Sequence, residues 1–132
     1  VAQNIISPGN SINMGNGWET KRRRGKGFDW VIIKLANKGI VNDIVIQTHH
    51  FKGNYPDTFS LQGSFVSKNS DVKKLINNSA KWKTLITTTK LKPHDNLKIS
   101  KLNHNSDKVN YVKLNIFPDG GVSRLRIFGK IT

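Results

Sequence analysis

The chain has 132 residues, no cysteine and a formal net charge of +14, because 22 lysines and arginines outnumber 8 aspartates and glutamates. This length suits a single domain, residues 1–132, that buries its own core. The absence of cysteine excludes disulfides and thiolate metal sites and fits a reducing compartment, so we expect a cytoplasmic protein. The longest apolar run, residues 30–33, is far too short to cross a membrane, and we expect no membrane partner.

The excess of positive charge raises the question of a nucleic-acid partner. The dense basic run is residues 21–24, and the other lysines are scattered through segments rich in lysine and asparagine. Such scatter favours a solvated basic surface over a binding stripe. We therefore expect no nucleic acid among the partners.

Short apolar runs separated by turn residues predict strands along most of the chain. A short helix is predicted at residues 71–77, inside one of two polar surface loops at 68–81 and 93–108. Many strands with almost no helix indicate an all-β antiparallel sandwich or jelly roll. The predicted strands are residues 29–35, 40–51, 58–66, 82–88, 97–100, 109–117 and 122–128.

Residues 15–24 combine glycines, a tryptophan and a block of charge. Trp18 lies between flexible glycines and this charge, so it is expected outside the core. If the segment is extended, Glu19, Lys21 and Arg23 project to one face. Such a cluster can hold a carboxylate through arginine and keep one carboxylate as base or acceptor. The alternative is an exposed ion-pair ladder of little energetic weight.

Residues 48–56 follow the second predicted strand and begin with two adjacent histidines. Because neighbouring strand residues point to opposite faces, His49 and His50 are not expected to bind one metal ion. Histidine titrates near neutral pH, so one of them is a candidate acid or base, and the other is expected to be exposed. A purely structural histidine is the alternative.

Residues 117–126 contain a Pro-Asp-Gly-Gly turn followed by alternating arginines. Asp119 either bonds its own backbone, which is the usual role in a turn, or takes part in chemistry. Arg124 and Arg126 share one face of the last predicted strand, where they form either an anion clamp or exposed charge.

Together these segments resemble the allantoicase family. The resemblance lies in Gly-Trp-Glu-Thr-Lys-Arg at 17–22 with Asp-Trp and an apolar strand at 29–33, in residues 47–56, and in residues 118–126. It implies a jelly roll of the galactose-binding type, present twice in a longer polypeptide, of which this chain is more similar to the C-terminal repeat. The family usually has Asp where Gln47 stands, so this chain departs from the pattern there.

The implied activity is the hydrolysis of allantoate to ureidoglycolate and urea in allantoin degradation, by a hydrolase acting on C–N bonds of linear amidines. A non-catalytic jelly-roll binding module is the alternative. No cofactor is assigned; a hard cation on Glu19, Asp29 or Asp119 stays open, and no residue is predicted as a metal ligand. The chain is expected to pair with a second repeat or a second copy. The expected catalytic residues are Glu19, His50 and Asp119, and the expected substrate-binding residues are Trp18, Lys21, Arg22, Asn54, Arg124 and Arg126.

Overall fold

The computed structural model describes residues 1–68, 70–104 and 106–132. Asn69 and Asn105, which fall in the two predicted surface loops, lie outside the described residues. Two short 3-10 helices, Ala2–Ile6 and Met14–Asn16, lie near the N-terminus, where the sequence analysis expected no helix. The other elements within these ranges are the strands β1 (Trp18–Glu19), β2 (Asp29–Gln47), β3 (Thr58–Ser64), β4 (Lys83–Lys90), β5 (Asn96–Ile99), β6 (Val109–Phe117), β7 (Gly121–Val122) and β8 (Arg124–Ile131), and the helix α1 (Val72–Ser79).

β2 is the longest strand and contributes to both layers of an antiparallel β-sandwich. Its first half pairs with β6, with Asp29 opposite Ile116 and Lys34 opposite Tyr111. β6 continues the layer to β3, and β3 to β4. The second half of β2 lies between β5 and β8. The register shifts between Lys34 and Gly39, where the strand passes from one layer to the other.

The predicted strands 29–35 and 40–51 are therefore one strand, which ends earlier than expected, at Gln47. The polar stretch between the two apolar runs does not break the strand, because Gly39 stays paired with a residue on each neighbouring strand. The strand ends because the backbone and hydroxyl of Thr48 bond to a loop instead of to a neighbouring strand.

The predicted strand 122–128 is two strands in different sheets, β7 and β8. Ser123 lies between them, and both its backbone N–H and its hydroxyl donate to the carbonyl oxygen of Gln47, at 2.8 and 2.9 Å. The other predicted strands are confirmed within two residues, and β6 has the predicted bounds.

The predicted helix at 71–77 is confirmed as α1, inside what was otherwise predicted as a loop. Asp71 caps it, because its carboxylate accepts a hydrogen bond of 2.8 Å from the backbone N–H of Lys74. α1 places a buried serine, Ser79, at its last position.

α1 also explains why the outward side of β6 is not solvated. Lys113 and Asn115 alternate with the core residues of β6, yet both side chains are buried. The Lys113 ammonium donates to the Ser79 hydroxyl at 2.9 Å and lies 4.8 Å from the centre of the Trp30 ring. Burial lowers the pKa of Lys113 from its ordinary value.

The core lies between the two layers and is formed by the alternating apolar residues of the strands. No helix among the described residues is long and apolar enough to cross a membrane. The fully buried apolar side chains of the strands include Ile44, Phe59, Leu61, Val112, Leu114, Ile116 and Val122.

Candidate functional site

Three segments that are distant in sequence meet at β1 and β7. Trp18 pairs with Val122 and Glu19 with Gly121. The next pair of residues extends the contact: the Thr20 N–H donates to the Gly120 carbonyl, and the Gly120 N–H donates to the Thr20 hydroxyl, both at 3.0 Å. The structure thus joins the segment 17–22 to the turn after β6.

The third segment, residues 47–56, joins at the same place. The Gly121 N–H donates to the Asn54 carbonyl at 2.8 Å, and the fully buried Phe51 ring lies against Gly121. A Cβ on Gly121 would overlap that ring, so this approach requires glycine. Gly120 has a φ of 130°, which side-chain-bearing residues rarely adopt, and a Cβ there would lie 2.7 Å from the Pro56 nitrogen.

Glu19 and Asn54 form the central polar contact of these segments. The Asn54 amide donates to the Glu19 carboxylate, and it also lies 3.7 Å from the Met14 sulfur. The Glu19 side chain is exposed and Asn54 is half-buried. One carboxylate oxygen is thereby oriented while the group faces solvent, so Glu19 can accept a proton or a hydrogen bond from a bound molecule.

Trp18 is half-buried against the hydrophobic core, so the expectation that it lies outside the core is wrong. The pairing of β1 with β7 places its side chain over the sandwich. Whether one edge of the indole also meets a ligand stays a prediction.

Asp119 contacts the backbone of the basic run rather than its own turn. Its carboxylate accepts a hydrogen bond of 2.7 Å from the Arg23 N–H. The Arg23 guanidinium in turn pairs with Asp29 at 2.5 Å. The side chains of Lys21 and Arg22 are exposed. In the described ranges neither of these two forms an ion pair, so both cations are available to an anion.

Arg124 and Arg126 share a face, as predicted, but that face is covered by the N-terminal segment, residues 1–17. Arg124 is 4% exposed. Its guanidinium donates to the carbonyls of Gly9 at 3.0 Å, Asn16 at 2.6 Å and Ser123 at 2.6 Å. Arg126 donates to the same Gly9 carbonyl at 2.7 Å. Burial and the neighbouring Arg126 charge lower the pKa of Arg124 from its ordinary value.

Gln47 lies opposite Arg124 on the neighbouring strand. Its side-chain N–H donates to the Asn96 side chain at 2.9 Å. Its side-chain oxygen is buried and, among the described residues, has no donor. An amide at this position therefore brings no negative charge to Arg124.

His49 and His50 lie in a turn after β2 rather than in the predicted strand. Strand alternation therefore does not set the directions of their side chains. His50 has a φ of 74°. Its Nε2 lies 2.8 Å from the Ser11 carbonyl oxygen, which only accepts, so Nε2 carries the proton. The His50 backbone N–H donates to Nδ1 of His94 at 2.8 Å. His50 thus contacts Ser11 and His94 rather than Glu19.

His94 is a residue of this region that the sequence analysis did not assign. Its ring centre lies 5.5 Å from that of His49 and 5.6 Å from that of His50, and we call these three residues the histidine cluster. Burial lowers the pKa of His49, the charges of His94 and His50 lower it further, and Asp95 opposes them. The Lys-Pro-His order at 92–94 was the available signal, but nothing in the sequence placed it beside residue 50.

The described residues contain no group of three or more His, Asp or Glu side chains arranged to hold a metal ion. The three carboxylates considered for a hard cation already have protein partners. Glu19 accepts from Asn54, and both Asp29 and Asp119 accept from Arg23.

The whole chain, residues 1–132, matches the allantoicase repeat family. A probable allantoicase from Pseudomonas savastanoi pv. phaseolicola is 45% identical over 129 residues, which are 98% of this chain and 39% of that protein. A probable allantoicase from Pseudomonas fluorescens is 46% identical over 128 residues, which are 97% of this chain and 38% of that protein. The chain thus spans about two fifths of the length of the curated relatives it matches.

The crystal structure of allantoicase from Saccharomyces cerevisiae superposes with a TM-score of 0.82 at 31% identity, covering 98% of this chain and 36% of that one. An F5/8 type C domain from Bacteroides fragilis superposes with a TM-score of 0.65 at 14% identity, covering 99% and 82%. The second likeness concerns the fold alone and confirms the predicted jelly-roll sandwich of the galactose-binding type. By its sequence over the full length and by its fold, the chain belongs to the allantoicase family.

Proposed function

We propose that this chain is one repeat of an allantoicase and supplies residues that hydrolyse allantoate to ureidoglycolate and urea. The observation that carries the proposal is the contact between Glu19 and Asn54, which unites two of the three family segments in one exposed polar site. The family name and the relatives' names support the chemistry.

The reaction cleaves one C–N bond of a carbon that bears a carboxylate and two ureido groups. The oxygen of water bonds to that carbon as a hydroxyl, and a proton passes to the departing nitrogen, which leaves as urea. We assign the substrate carboxylate to the exposed cations Lys21 and Arg22. Glu19 accepts from a ureido N–H or from the attacking water, and Asn54 orients Glu19. Because the Nε2 proton of His50 is held by the Ser11 carbonyl, we assign the proton for the leaving nitrogen to Nδ1 of His50.

The proposal gives a different task to the residues whose side chains are engaged with backbone groups. Asp119 holds the Arg23 N–H, and Arg124 and Arg126 hold the carbonyl of Gly9. We assign these three side chains to positioning the basic run and the N-terminal segment around the site. Trp18 supports the strand that carries Glu19.

The test is the release of urea from allantoate by the purified chain, compared with the Glu19→Gln variant. Gln can still accept the hydrogen bond from Asn54, so the fold is expected to be unchanged. Loss of the ionised carboxylate should lower turnover by about 100-fold or more. Asp57→Asn is the matched control, because Asp57 is an exposed carboxylate whose ion-pair partner in the described part of the chain is Lys90. Near-normal turnover of Glu19→Gln removes Glu19 from the site. Tight binding of allantoate without urea release indicates a binding module instead.

A further inference from the structure

The turn that carries His50 is fastened to the segment 92–95 by a set of hydrogen bonds. The Thr48 N–H donates to the Asp95 carbonyl at 2.9 Å, and the Thr48 hydroxyl donates to the Lys92 carbonyl at 2.7 Å. The Asp95 N–H donates to the same hydroxyl at 3.0 Å. These bonds bring two loops together, and their backbone groups do not titrate.

Two further bonds involve His94. The backbone N–H of His94 donates to the Phe51 carbonyl at 3.1 Å. The ring nitrogen Nδ1 of His94 accepts a hydrogen bond of 2.8 Å from the backbone N–H of His50. A nitrogen that accepts this bond carries no proton, so the imidazole is neutral, with its proton on Nε2. His50 has a φ of 74°, in the left-handed region that residues other than glycine adopt uncommonly, although histidine does so more often than most. The bond to His94 supports the backbone of His50 from outside the turn, and the bond to Ser11 holds its ring.

We infer that His94 is a positioning residue of the candidate site: its neutral imidazole holds the backbone of His50 in the left-handed conformation, and a proton on His94 releases it. Protonated Nδ1 becomes a donor that faces the His50 N–H, so the bond is replaced by repulsion. The consequence for catalysis rests on the proposed function; the consequence for the turn does not.

The titratable groups around His94 are mostly basic. His49 and His50 face it from the turn, and each would add a like charge on protonation. Asp95 is the acidic neighbour in its own segment, which also carries Lys92, and the N-terminal segment contributes the uncharged Ser11 carbonyl that binds His50. Among the described residues, Asp95 is thus the carboxylate that acts on this group of three imidazoles.

Asparagine offers a sharp test at position 94. Its side-chain oxygen occupies nearly the same place as Nδ1 of histidine, it does not titrate, and asparagine tolerates the φ of 45° found there. His94→Asn should therefore keep the bond to the His50 N–H at every pH. His94→Ala removes the acceptor. His104→Asn is the matched control, because His104 has a φ of 53° in another loop and contacts Asp107 instead of the cluster.

The first readout is the protection of the His50 amide against hydrogen exchange, measured by NMR between pH 5 and 8 on the 132-residue chain and corrected for the intrinsic rate. In the parent chain and in His104→Asn, protection should fall by about tenfold or more between pH 8 and pH 5. His94→Asn should stay protected throughout, and His94→Ala should be unprotected throughout. A parent chain without pH dependence, or an His94→Asn variant that titrates like the parent, overturns the inference.

The second readout is urea release from allantoate over the same pH range. His94→Asn should extend activity to lower pH through kcat, with KM nearly unchanged, because the cations that bind the substrate lie elsewhere. If no variant and no parent chain releases urea, the proposed function fails while the exchange data still decide the role of His94. If the chain is active and His94→Asn keeps the acid limb of the parent, the positioning role is wrong.

Discussion

Replacing Arg124 by alanine tests whether this residue holds the N-terminal segment or binds a ligand. The guanidinium is 4% exposed and donates to three backbone carbonyls, two of which, Gly9 and Asn16, belong to the N-terminal segment. Burial and the charge of Arg126 lower its pKa, yet a guanidinium stays charged at any working pH. The structure thus makes Arg124 the main connection between β8 and the segment.

The expected loss of stability follows from those bonds. A hydrogen bond from a charged donor contributes roughly 1.5–3 kcal/mol, so three bonds set an upper bound of about 5–9 kcal/mol. The loss is smaller in practice, because Gly9 keeps its bond from Arg126 and water can bind the freed Asn16 carbonyl. We expect about 2–4 kcal/mol, which for a chain of this size lowers Tm by roughly 10 °C.

Urea denaturation followed by tryptophan fluorescence measures the free energy of unfolding, and limited proteolysis reports whether residues 1–17 are released. Arg126→Ala is the matched control. Arg126 has the same charge as Arg124 and donates to the same Gly9 carbonyl, but it makes one bond and is half-buried. Its replacement should therefore lower the free energy of unfolding by about 1 kcal/mol or less. An Arg124→Ala variant with the stability of the parent and a protected N-terminal segment would refute the reasoning and return Arg124 to ligand binding.

Three other variants, one of them with a matched control, test separate features of the site. Gly121→Ala forces the buried Phe51 ring from its place and should cost about 3 kcal/mol in chemical denaturation, whereas Gly53→Ala meets no atom within 4 Å and should change stability by less than about 0.5 kcal/mol. The pKa of His49 is lowered below 6.5, so its neutral form stabilises the fold above that pH and this contribution is lost as the pH falls. His49→Gln should therefore make the free energy of unfolding less dependent on pH between pH 5 and 7. Asp119→Asn keeps an acceptor for the backbone N–H it holds, so it should retain urea release within about tenfold; a loss as large as that of Glu19→Gln would make Asp119 catalytic.

The sequence predicted best those features that depend on local pattern. The alternation in β6 gave its bounds, because each buried residue alternates with a residue of the opposite face. The short helix predicted at residues 71–77 is present as α1, and the structure adds the capping aspartate that begins it. The family segments were recognisable without any structure, because the glycines, tryptophan and charges that build the site are contiguous within each segment.

The features that sequence analysis missed depend on contacts between distant residues. Lys113 and Arg124 lie on strand faces opposite the core, but these faces are covered by α1 and by the N-terminal segment rather than by water. The turn at His50 could not be predicted, because the bonds that end β2 come from Thr48 to a loop more than 40 residues away. No local pattern carries such information.

The polar residues of the family segments form two groups: some side chains bind backbone groups of distant segments, and others project to solvent. Asp119 and Arg124 bind backbone groups of distant segments, so they hold the chain in place whatever is bound. Glu19, Lys21 and Arg22 project to solvent, and the fold gains little from their charge. A residue whose removal leaves the free energy of unfolding nearly unchanged but abolishes turnover takes part in the chemistry. A residue whose removal lowers both the free energy of unfolding and turnover holds the structure in place. Measuring unfolding free energy beside urea release for each variant therefore assigns every residue to one group, which activity measurements alone cannot do.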